Sequence, residues 1–345
     1  MGLPFLPSRK KVGVTIEEDR IRIVETSQNK GSIQIRRMSS IPLERGLIAG
    51  GKIMDEKALE LQLSLAGQDL SLGRKKVSLA VPSSFVVIRK LSLPPLPPKE
   101  VRSLIEVELE SSIHLPFSRP YFDYYKLPQS VASSPSDENE EAAGEGAEDS
   151  YVVIAAPGDL IDQYVSLLKW LQLKTESVDI EPLALYRFLE RSGVALSENL
   201  LIVQFGMHSI NVGIFHGEIP EFLRNISLDL DNYRMDVPGR VLSSKELLAF
   251  LEQHNAFETF AEDFARELER VINFYQFSLK NGTVRLDTMY LTGDFPDIDR
   301  MVGFLRERLP QLQIAPLPVG HIQHATASEA ELQAYSVALG LSLRG

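Results

Sequence analysis

Two hairpin turns carry the residues of this chain that could bind a ligand. The first turn, residues 17–20, joins an apolar strand to an alternating strand, and the second turn, residues 206–209, repeats that arrangement. Two similar hairpins in one chain indicate a duplicated fold, with a ligand expected between the halves at the two turns. The residue types at these turns therefore decide whether the chain does chemistry.

The first turn is acidic, because Glu17, Glu18 and Asp19 follow one another two positions after Thr15. Three carboxylates could coordinate a hard cation directly, although a solvent-exposed acidic turn is the simpler interpretation. The turn is unfavourable for phosphate, since each like-charge contact at about 4 Å costs roughly 1 kcal/mol in water and about 4 kcal/mol at an effective dielectric near 20. Its side chains would also keep a phosphate away from the backbone amides, which is why phosphate-binding loops favour glycine.

The sequence lacks the other common patterns of reactive residues. It contains no cysteine, which excludes disulfides, thiol catalysis and Cys-based zinc sites. The six histidines show no zinc-protease spacing, Ser83-Ser84 shows no sign of a nucleophile elbow, and Gly50-Gly51-Lys52 lacks the upstream glycine of a phosphate loop. We therefore expect no catalytic residue and no metal site.

The composition indicates a soluble globular protein in a reducing cytoplasm. The chain has 345 residues, enough for two lobes, of which 44% are hydrophobic and 24% charged. Its net charge of −11 argues against a nucleic-acid partner. No apolar run approaches the ~18 residues of a membrane span, and the basic residues 9–11 follow the short apolar start, the wrong order for a secretory signal.

An acidic, Ser/Ala/Gly-rich segment covers residues 129–150. It contains seven acidic residues and no Lys or Arg. Such a composition cannot bury enough apolar surface to fold, so the sequence predicts a disordered loop. An acidic tether for a basic partner is the functional alternative.

Apolar periodicity predicts mixed helices and strands on both sides of this loop. Between residues 83 and 173 the pattern indicates a strand at 85–93, a helix at 99–113, strands at 120–127 and 151–155, and a closing helix from 158. After the second hairpin it predicts a long helix at 260–279, a buried strand at 288–292, a further helix from about 298, and an apolar helix at 334–341. These alternating elements indicate an α/β fold.

The order and spacing of several segments resemble the PilM family, actin-like proteins of type IV pilus assembly that are related to the cell-division protein FtsA. The matching segments are the two hairpins and residues 43–55, 77–84, 88–94, 106–117, 123–124, 179–184, 267–275, 291–293 and 335–344. The resemblance implies an actin-like, ribonuclease H-like duplicated fold of two lobes with an inserted FtsA-type strand-helix-strand-strand subdomain. It places the first lobe at 1–82, completed by 174–198 and 332–345, the subdomain at 83–173, and the second lobe at 199–331.

The resemblance also identifies a vestigial nucleotide site. Where the family has an aspartate and a small-residue loop, this chain has Thr15 and the acidic turn Glu17, Glu18 and Asp19. In the second half of the chain, Gln204 replaces another aspartate of the family, while Gly206 is kept. A third segment keeps Gly293 but has Asp294 and Phe295 where the family has a second glycine. Three departures favour a non-hydrolysing pseudo-ATPase without a bound cofactor, with ATP and Mg²⁺ as the alternative.

The family's other property is partner binding, which the resemblance extends to this chain. It implies an adaptor that binds the N-terminal cytoplasmic tail of a PilN-like bitopic membrane protein in a groove framed by residues 85–93, 99–113 and 43–53. We predict contacts at Val87, Arg89, Leu104 and Glu108, while Val87 and Leu104 are alternatively core residues. The protein would then lie at the inner face of the cell membrane, held there by its partner. Other pilus platform proteins are further expected partners, and self-association stays open.

Two alternatives to this adaptor come from the same resemblance. One is an active actin-like ATPase of the same machine, which tolerates the altered site. The other is the GspL-like cytoplasmic portion of a type II secretion system, which shares the fold. The sequence leaves open whether the machine is a pilus, a competence or a secretion machine.

Overall fold

The first sheet has six strands and contains the first hairpin. A computed structural model describes residues 10–29, 32–70, 73, 75–128, 148–206, 209–228, 256–324 and 326–344. The strands of this sheet are β1 (Lys10–Ile16), β2 (Arg20–Asn29), β3 (Ser32–Pro42), β6 (Lys76–Val81), β10 (Lys174–Ile180) and β16 (Ile322–Gln323). Their order is β10-β6-β1-β2-β3-β16. A separate short hairpin is formed by β4 (Ile48–Ala49) and β5 (Lys52–Ile53).

The second sheet has five strands and repeats the topology of the first. Its strands are β11 (Asn199–Phe205), β12 (Ile210–His216), β13 (Ile219–Ile226), β14 (Thr288–Gly293) and β15 (Gln313–Pro316). Their order is β13-β12-β11-β14-β15, in which β11 pairs antiparallel with β12 and parallel with β14. The strand β1 likewise pairs antiparallel with β2 and parallel with β6. The duplication predicted from the two hairpins is therefore confirmed.

A third sheet has three strands, β7 (Val87–Leu93), β9 (Asp149–Pro157) and β8 (Pro120–Lys126), in the order β7-β9-β8. A 3-10 turn at Ser83–Phe85 precedes β7, where the sequence predicts strand from 85. The strand β9 begins at Asp149, so the last two residues of the segment predicted as a disordered loop are paired and buried instead. Residues 129–147 of that loop lie outside the described residues. The division into domains at 83, 174 and 199 stays a prediction.

Eight α-helices are described in the parts of the chain listed above. They are α1 (Glu56–Leu70), α2 (Pro98–Ser111), α3 (Gly158–Trp170), α4 (Glu181–Ser192), α5 (Ala256–Asn273), α6 (Ile298–Arg308), α7 (Glu329–Ala334) and α8 (Ser336–Ser342). The predicted helix at 260–279 is only partly α-helical, because α5 changes to a π-helix at Phe274–Leu279 before Asn281 and Gly282 end it with positive φ. Within the described residues, none of these helices is long and apolar enough to cross a membrane.

Helix α8 is buried between the first sheet and α4. It lies so close to β1 that a Cβ on Gly13 would meet the carbonyl oxygen of Ala338 at 1.9 Å. It lies equally close to α4, since a Cβ on Gly340 would meet the carbonyl oxygen of Ala184 at 2.0 Å. Thr26 of β2 also donates a hydrogen bond to the hydroxyl of Ser342 (3.0 Å). We call the first sheet with α1, α3, α4 and α8 the first lobe, and the second sheet with α5 and α6 the second lobe.

Candidate functional site

One cleft between the two lobes is lined by all eight residues predicted for the vestigial nucleotide site. The first turn and the end of β1 form one wall, and the ends of β11 and β14 form the other. The cavity between them measures about 300 Å³. The structure thus brings together Thr15, Glu17, Glu18, Asp19, Gln204, Gly206, Gly293 and Asp294.

The three carboxylates of the first turn are held by donors of the protein itself. The hydroxyl of Thr15 donates to Glu17 Oε1 at 3.1 Å, and the guanidinium of Arg20 donates to Asp19 Oδ2 at 2.6 Å and 2.9 Å. The backbone amide of Gly50 donates to Glu18 Oε1 at 2.6 Å. The turn is therefore half-buried and hydrogen-bonded rather than fully solvent-exposed, and its half-buried carboxylates have the donors that they need. In the described residues no group of three or more His, Asp or Glu side chains is placed to hold a metal ion.

Arg22 of β2 joins the two lobes across this cleft. Its side chain is 3% exposed, and its Nη1 donates to both carboxylate oxygens of Glu17, with Oε2 at 2.5 Å. Its Nη2 donates to Oδ1 of Asp294 at 2.5 Å, and the guanidinium lies 5.3 Å from the ring centroid of Tyr335. One buried cation thus pairs with a carboxylate from each lobe. We call Glu17, Arg22 and Asp294 the interlobe triad.

The interlobe triad carries one more negative than positive charge, which shifts its protonation. Burial raises the pKa of Glu17 from 4.5 to about 7, against the lowering effect of Arg22 and with further raising by Asp294 and Asp19. Burial also raises the pKa of Asp294, again against Arg22. The pKa of Arg22 is raised, because its two carboxylates outweigh burial. A single guanidinium cannot compensate two buried carboxylates in full, so one of them holds its proton to a higher pH.

This raised pKa predicts a pH-dependent contribution to stability. The native Glu17 carboxyl keeps its proton to a higher pH than the unfolded one, so its contribution is complete below about pH 4.5 and is lost as the pH rises through about 7. Between about pH 4.5 and pH 8 the wild type should therefore lose about 2–3 kcal/mol of unfolding free energy. Glu17→Gln should not show this loss, because its side chain does not titrate. Urea unfolding at several pH values measures this, with the exposed Glu60→Gln as control. Parallel curves for Glu17→Gln and the wild type would contradict the prediction.

The second wall is shaped by backbone contacts. Gly293 has φ +107°, and a Cβ there would meet the carbonyl oxygen of Phe205 at 2.1 Å. Glycine is therefore required where β14 approaches β11, whatever the cleft binds. Phe295, where the family resemblance would place a glycine, is 4% exposed and lies 4.9 Å from Phe205 between ring centroids. Gln204 Oε1 is a buried acceptor without a hydrogen-bond partner among the described residues.

Glu181, the first residue of α4, forms a second link between the lobes. Its Oε2 accepts hydrogen bonds from the backbone amide (3.0 Å) and hydroxyl (2.7 Å) of Ser83, and from Nδ2 of Asn211 (3.2 Å). Burial raises the pKa of Glu181, while the bonds from Ser83 lower it. Sequence reasoning missed the site roles of Glu181 and Arg22. The sequence holds no distinct signal for Arg22, because a charged residue is ordinary in an alternating strand.

A family model described as type IV pilus assembly protein PilM matches residues 13–228. This match covers more than half of the chain. The chain belongs to the PilM family. No curated protein matches it at a significant level.

Two solved structures share the actin-like fold of this PilM-family chain. A PilM-PilN type IV pilus biogenesis complex is 20% identical over 98% of both chains, with a TM-score of 0.73. The ethanolamine utilization protein EutJ from Carboxydothermus hydrogenoformans is 12% identical over 99% of this chain and 91% of its own, with a TM-score of 0.52. At these identities the likeness concerns the fold.

The predicted groove residues of this PilM-family chain lie on two neighbouring elements. Val87 and Arg89 share the face of β7 that also carries Leu91 and Leu93, and α2 packs on this face through a cluster that includes Leu93. Leu104 of α2 is half-buried against that cluster, as its alternative interpretation predicts, while Arg89 is exposed.

The connection predicted to frame the groove also approaches this region. The hydroxyl of Tyr164 donates to the carbonyl of Gly51 at 2.7 Å, and a Cβ on Gly51 would meet the ring of Phe85 at 2.5 Å. The loop between β4 and β5 therefore lies beside the start of β7. The binding role of Val87, Arg89, Leu104 and Glu108 stays a prediction.

Proposed function

We propose that this PilM-family chain is a non-hydrolysing adaptor in type IV pilus assembly. The observation that carries this proposal is the position of Arg22, which is bound on both sides by carboxylates in the cleft between the lobes. A cation that would otherwise attract phosphate is already neutralised there. The nucleotide site is thus degenerate, and partner binding is the property that remains.

Electrostatics of the cleft support a site that disfavours nucleotide. Among the described residues, five carboxylates line it, those of Glu17, Glu18, Asp19, Glu181 and Asp294. The only lining guanidinium in these ranges is that of Arg22, while Arg20 pairs with Asp19 at the turn. A phosphate would have to separate Arg22 from its two partners. Breaking a buried ion pair leaves a charge uncompensated and costs about 3–5 kcal/mol.

The partner we propose is the N-terminal cytoplasmic tail of a PilN-like bitopic membrane protein. One of the two solved structures described above is a PilM-PilN complex, which supports this choice of partner. An extended tail could gain main-chain hydrogen bonds and place alternate side chains in pockets between β7, α2 and the loop at Gly51. This partner would hold the chain at the inner face of the cell membrane, beside the other platform proteins.

Calorimetric titration of the protein with the tail peptide of its PilN-like partner tests this function. We expect saturable binding without nucleotide, and the same affinity when ATP and Mg²⁺ are present. Arg89→Glu should weaken binding about tenfold, because it reverses an exposed charge at the groove. Arg285→Glu, an exposed reversal in the second lobe, is the matched control.

Two results of this titration would contradict the proposal in different ways. Binding of the peptide only in the presence of ATP would show that nucleotide still controls the groove, and the degenerate site would be wrong. Absence of binding under both conditions would remove the adaptor role. Equal losses for Arg89→Glu and Arg285→Glu would remove the groove assignment alone.

A further inference from the structure

The outer edge of the first sheet is open along most of β3. This strand spans eleven residues, Ser32–Pro42, and pairs with β2 along its inner side. On its outer side only Ile33 and Gln34 pair, with the short strand β16. Among the described residues, no strand pairs with the outer side from residue 35 to residue 42. From residue 35 to residue 41 such an edge presents unpaired backbone donors and acceptors that can bind another strand. Pro42 has no N–H, and its carbonyl accepts a hydrogen bond from Nε2 of Gln62 (2.9 Å).

A β-bulge directs two arginines to the same place on this edge. The pairing of β2 with β3 skips from Arg37 to Ile35, so Arg36 is the extra residue of the bulge. Bulges redirect side chains from the regular alternation. As a result, the consecutive residues Arg36 and Arg37 both line one cavity of about 330 Å³, with Ile35, Met38 and Ala327 as apolar lining.

Both guanidinium groups are available for an acidic ligand. Nε of Arg36 donates to the hydroxyl of Ser27 (2.7 Å), and Nε of Arg37 donates to that of Ser39 (3.0 Å). Neither arginine forms an ion pair with a carboxylate in the described ranges, although the chain as a whole carries a net charge of −11.

The one carboxylate among the described lining residues of this cavity is already engaged. Glu331 accepts hydrogen bonds from the amide (2.8 Å) and hydroxyl (3.0 Å) of Ser328 in the capping box of α7. Its bonds to Ser328 lower the pKa of Glu331, so it stays ionised and bound there at neutral pH. Neither arginine is ion-paired with Glu331 in the described ranges, so both guanidinium groups stay open to an acidic ligand beside the strand edge.

We propose that the edge of β3 from residue 35 to residue 41 binds an extended acidic segment of a partner protein by strand addition. The partner strand would bond to the backbone of β3, and its alternate carboxylates would reach Arg36 and Arg37. This surface is separate from the groove at β7 and α2, so it provides for a second partner and does not depend on the first. A second copy fits poorly, because antiparallel pairing of two β3 edges would bring four arginines together.

An end-blocked peptide of sequence Thr-Glu-Val-Glu-Val-Glu-Thr, carrying a fluorophore, is the probe that tests this proposal. We expect saturable binding by fluorescence anisotropy, weakening as salt rises, and slower hydrogen exchange in residues 32–42. The double variant Arg36→Gln/Arg37→Gln should bind about tenfold more weakly, because two charge-assisted hydrogen bonds are lost. The matched control is Arg266→Gln/Arg270→Gln, which removes two exposed charges from α5.

Control probes separate strand addition from simple attraction. A peptide with lysine in place of glutamate should not bind, and one N-methylated on alternate residues should lose most of its affinity because it cannot complete the strand pairing. Equal binding of the lysine peptide, wild-type affinity in Arg36→Gln/Arg37→Gln, or exchange protection outside residues 32–42 would each overturn the proposal. So would a β3-dependent dimer in sedimentation, since the edge would then bind a second copy.

Discussion

Replacing Arg22 with methionine is expected to lower the free energy of unfolding by about 3–5 kcal/mol. The substitution keeps most of the side-chain volume but leaves the carboxylates of Glu17 and Asp294 half-buried without their shared cation. Removing one partner of a buried ion pair is costly because the remaining charge stays uncompensated. Equilibrium unfolding in urea at pH 8, where more Glu17 is ionised, measures the loss.

The neighbouring arginine supplies the control for this substitution. Arg20 pairs with Asp19, but its side chain is 32% exposed, so Arg20→Met should cost about 1 kcal/mol or less. Adding Glu17→Gln and Asp294→Asn to Arg22→Met should recover most of the stability, because no buried charge then remains. If Arg22→Met costs no more than Arg20→Met, the interlobe triad is not a buried network.

Replacing Gly340 with alanine is expected to cost about 2–4 kcal/mol, although alanine is the better helix former. The new Cβ would lie 2.0 Å from the carbonyl oxygen and 2.5 Å from the carbonyl carbon of Ala184. Both are backbone atoms, so helices α8 and α4 must move apart, with the cost of overpacking a close-packed core. Thermal and urea unfolding measure the change.

Gly303 gives the matched control, since it is also a helical glycine but meets no atom within 4 Å. It lies on the exposed face of α6, so Gly303→Ala should stabilise the protein by about 0.5–1 kcal/mol. Opposite signs for the two substitutions separate packing from helix propensity. A stabilising Gly340→Ala would show that α8 and α4 are less tightly packed than described.

The sequence predicted the topology and the location of the cleft because both follow from strand patterns. Each hairpin places its turn at one end of a central strand, and duplication brings the two ends face to face. Thr15 and Gln204, beside these turns, could therefore be assigned to one cleft before their contacts were known, whereas Gly293 was assigned through the resemblance to the PilM family. The identity of the family also rested on the order of these segments.

Pairings across the cleft were beyond such patterns. Arg22 lies in a strand whose alternation predicts an outward polar side chain, and only the second lobe supplies Asp294 to bury it. Glu181 begins a helix, where a carboxylate is favourable anyway, so its bonds to Ser83 and Asn211 left no distinct signal. The π-helical end of α5 was likewise unpredicted, because apolar spacing does not separate α from π turns over six residues.

The burial of α8 has a consequence for how the protein is made. This helix completes the core of the first lobe, yet it follows the whole second sheet along the chain, more than 300 residues after β1. A ribosome adding about 5–20 residues per second must therefore synthesise the second lobe before the first can close. During this interval the surface that later receives α8 is exposed on β1 and α4. The nascent first lobe therefore carries exposed apolar surface, which is prone to aggregation, until α8 has been synthesised.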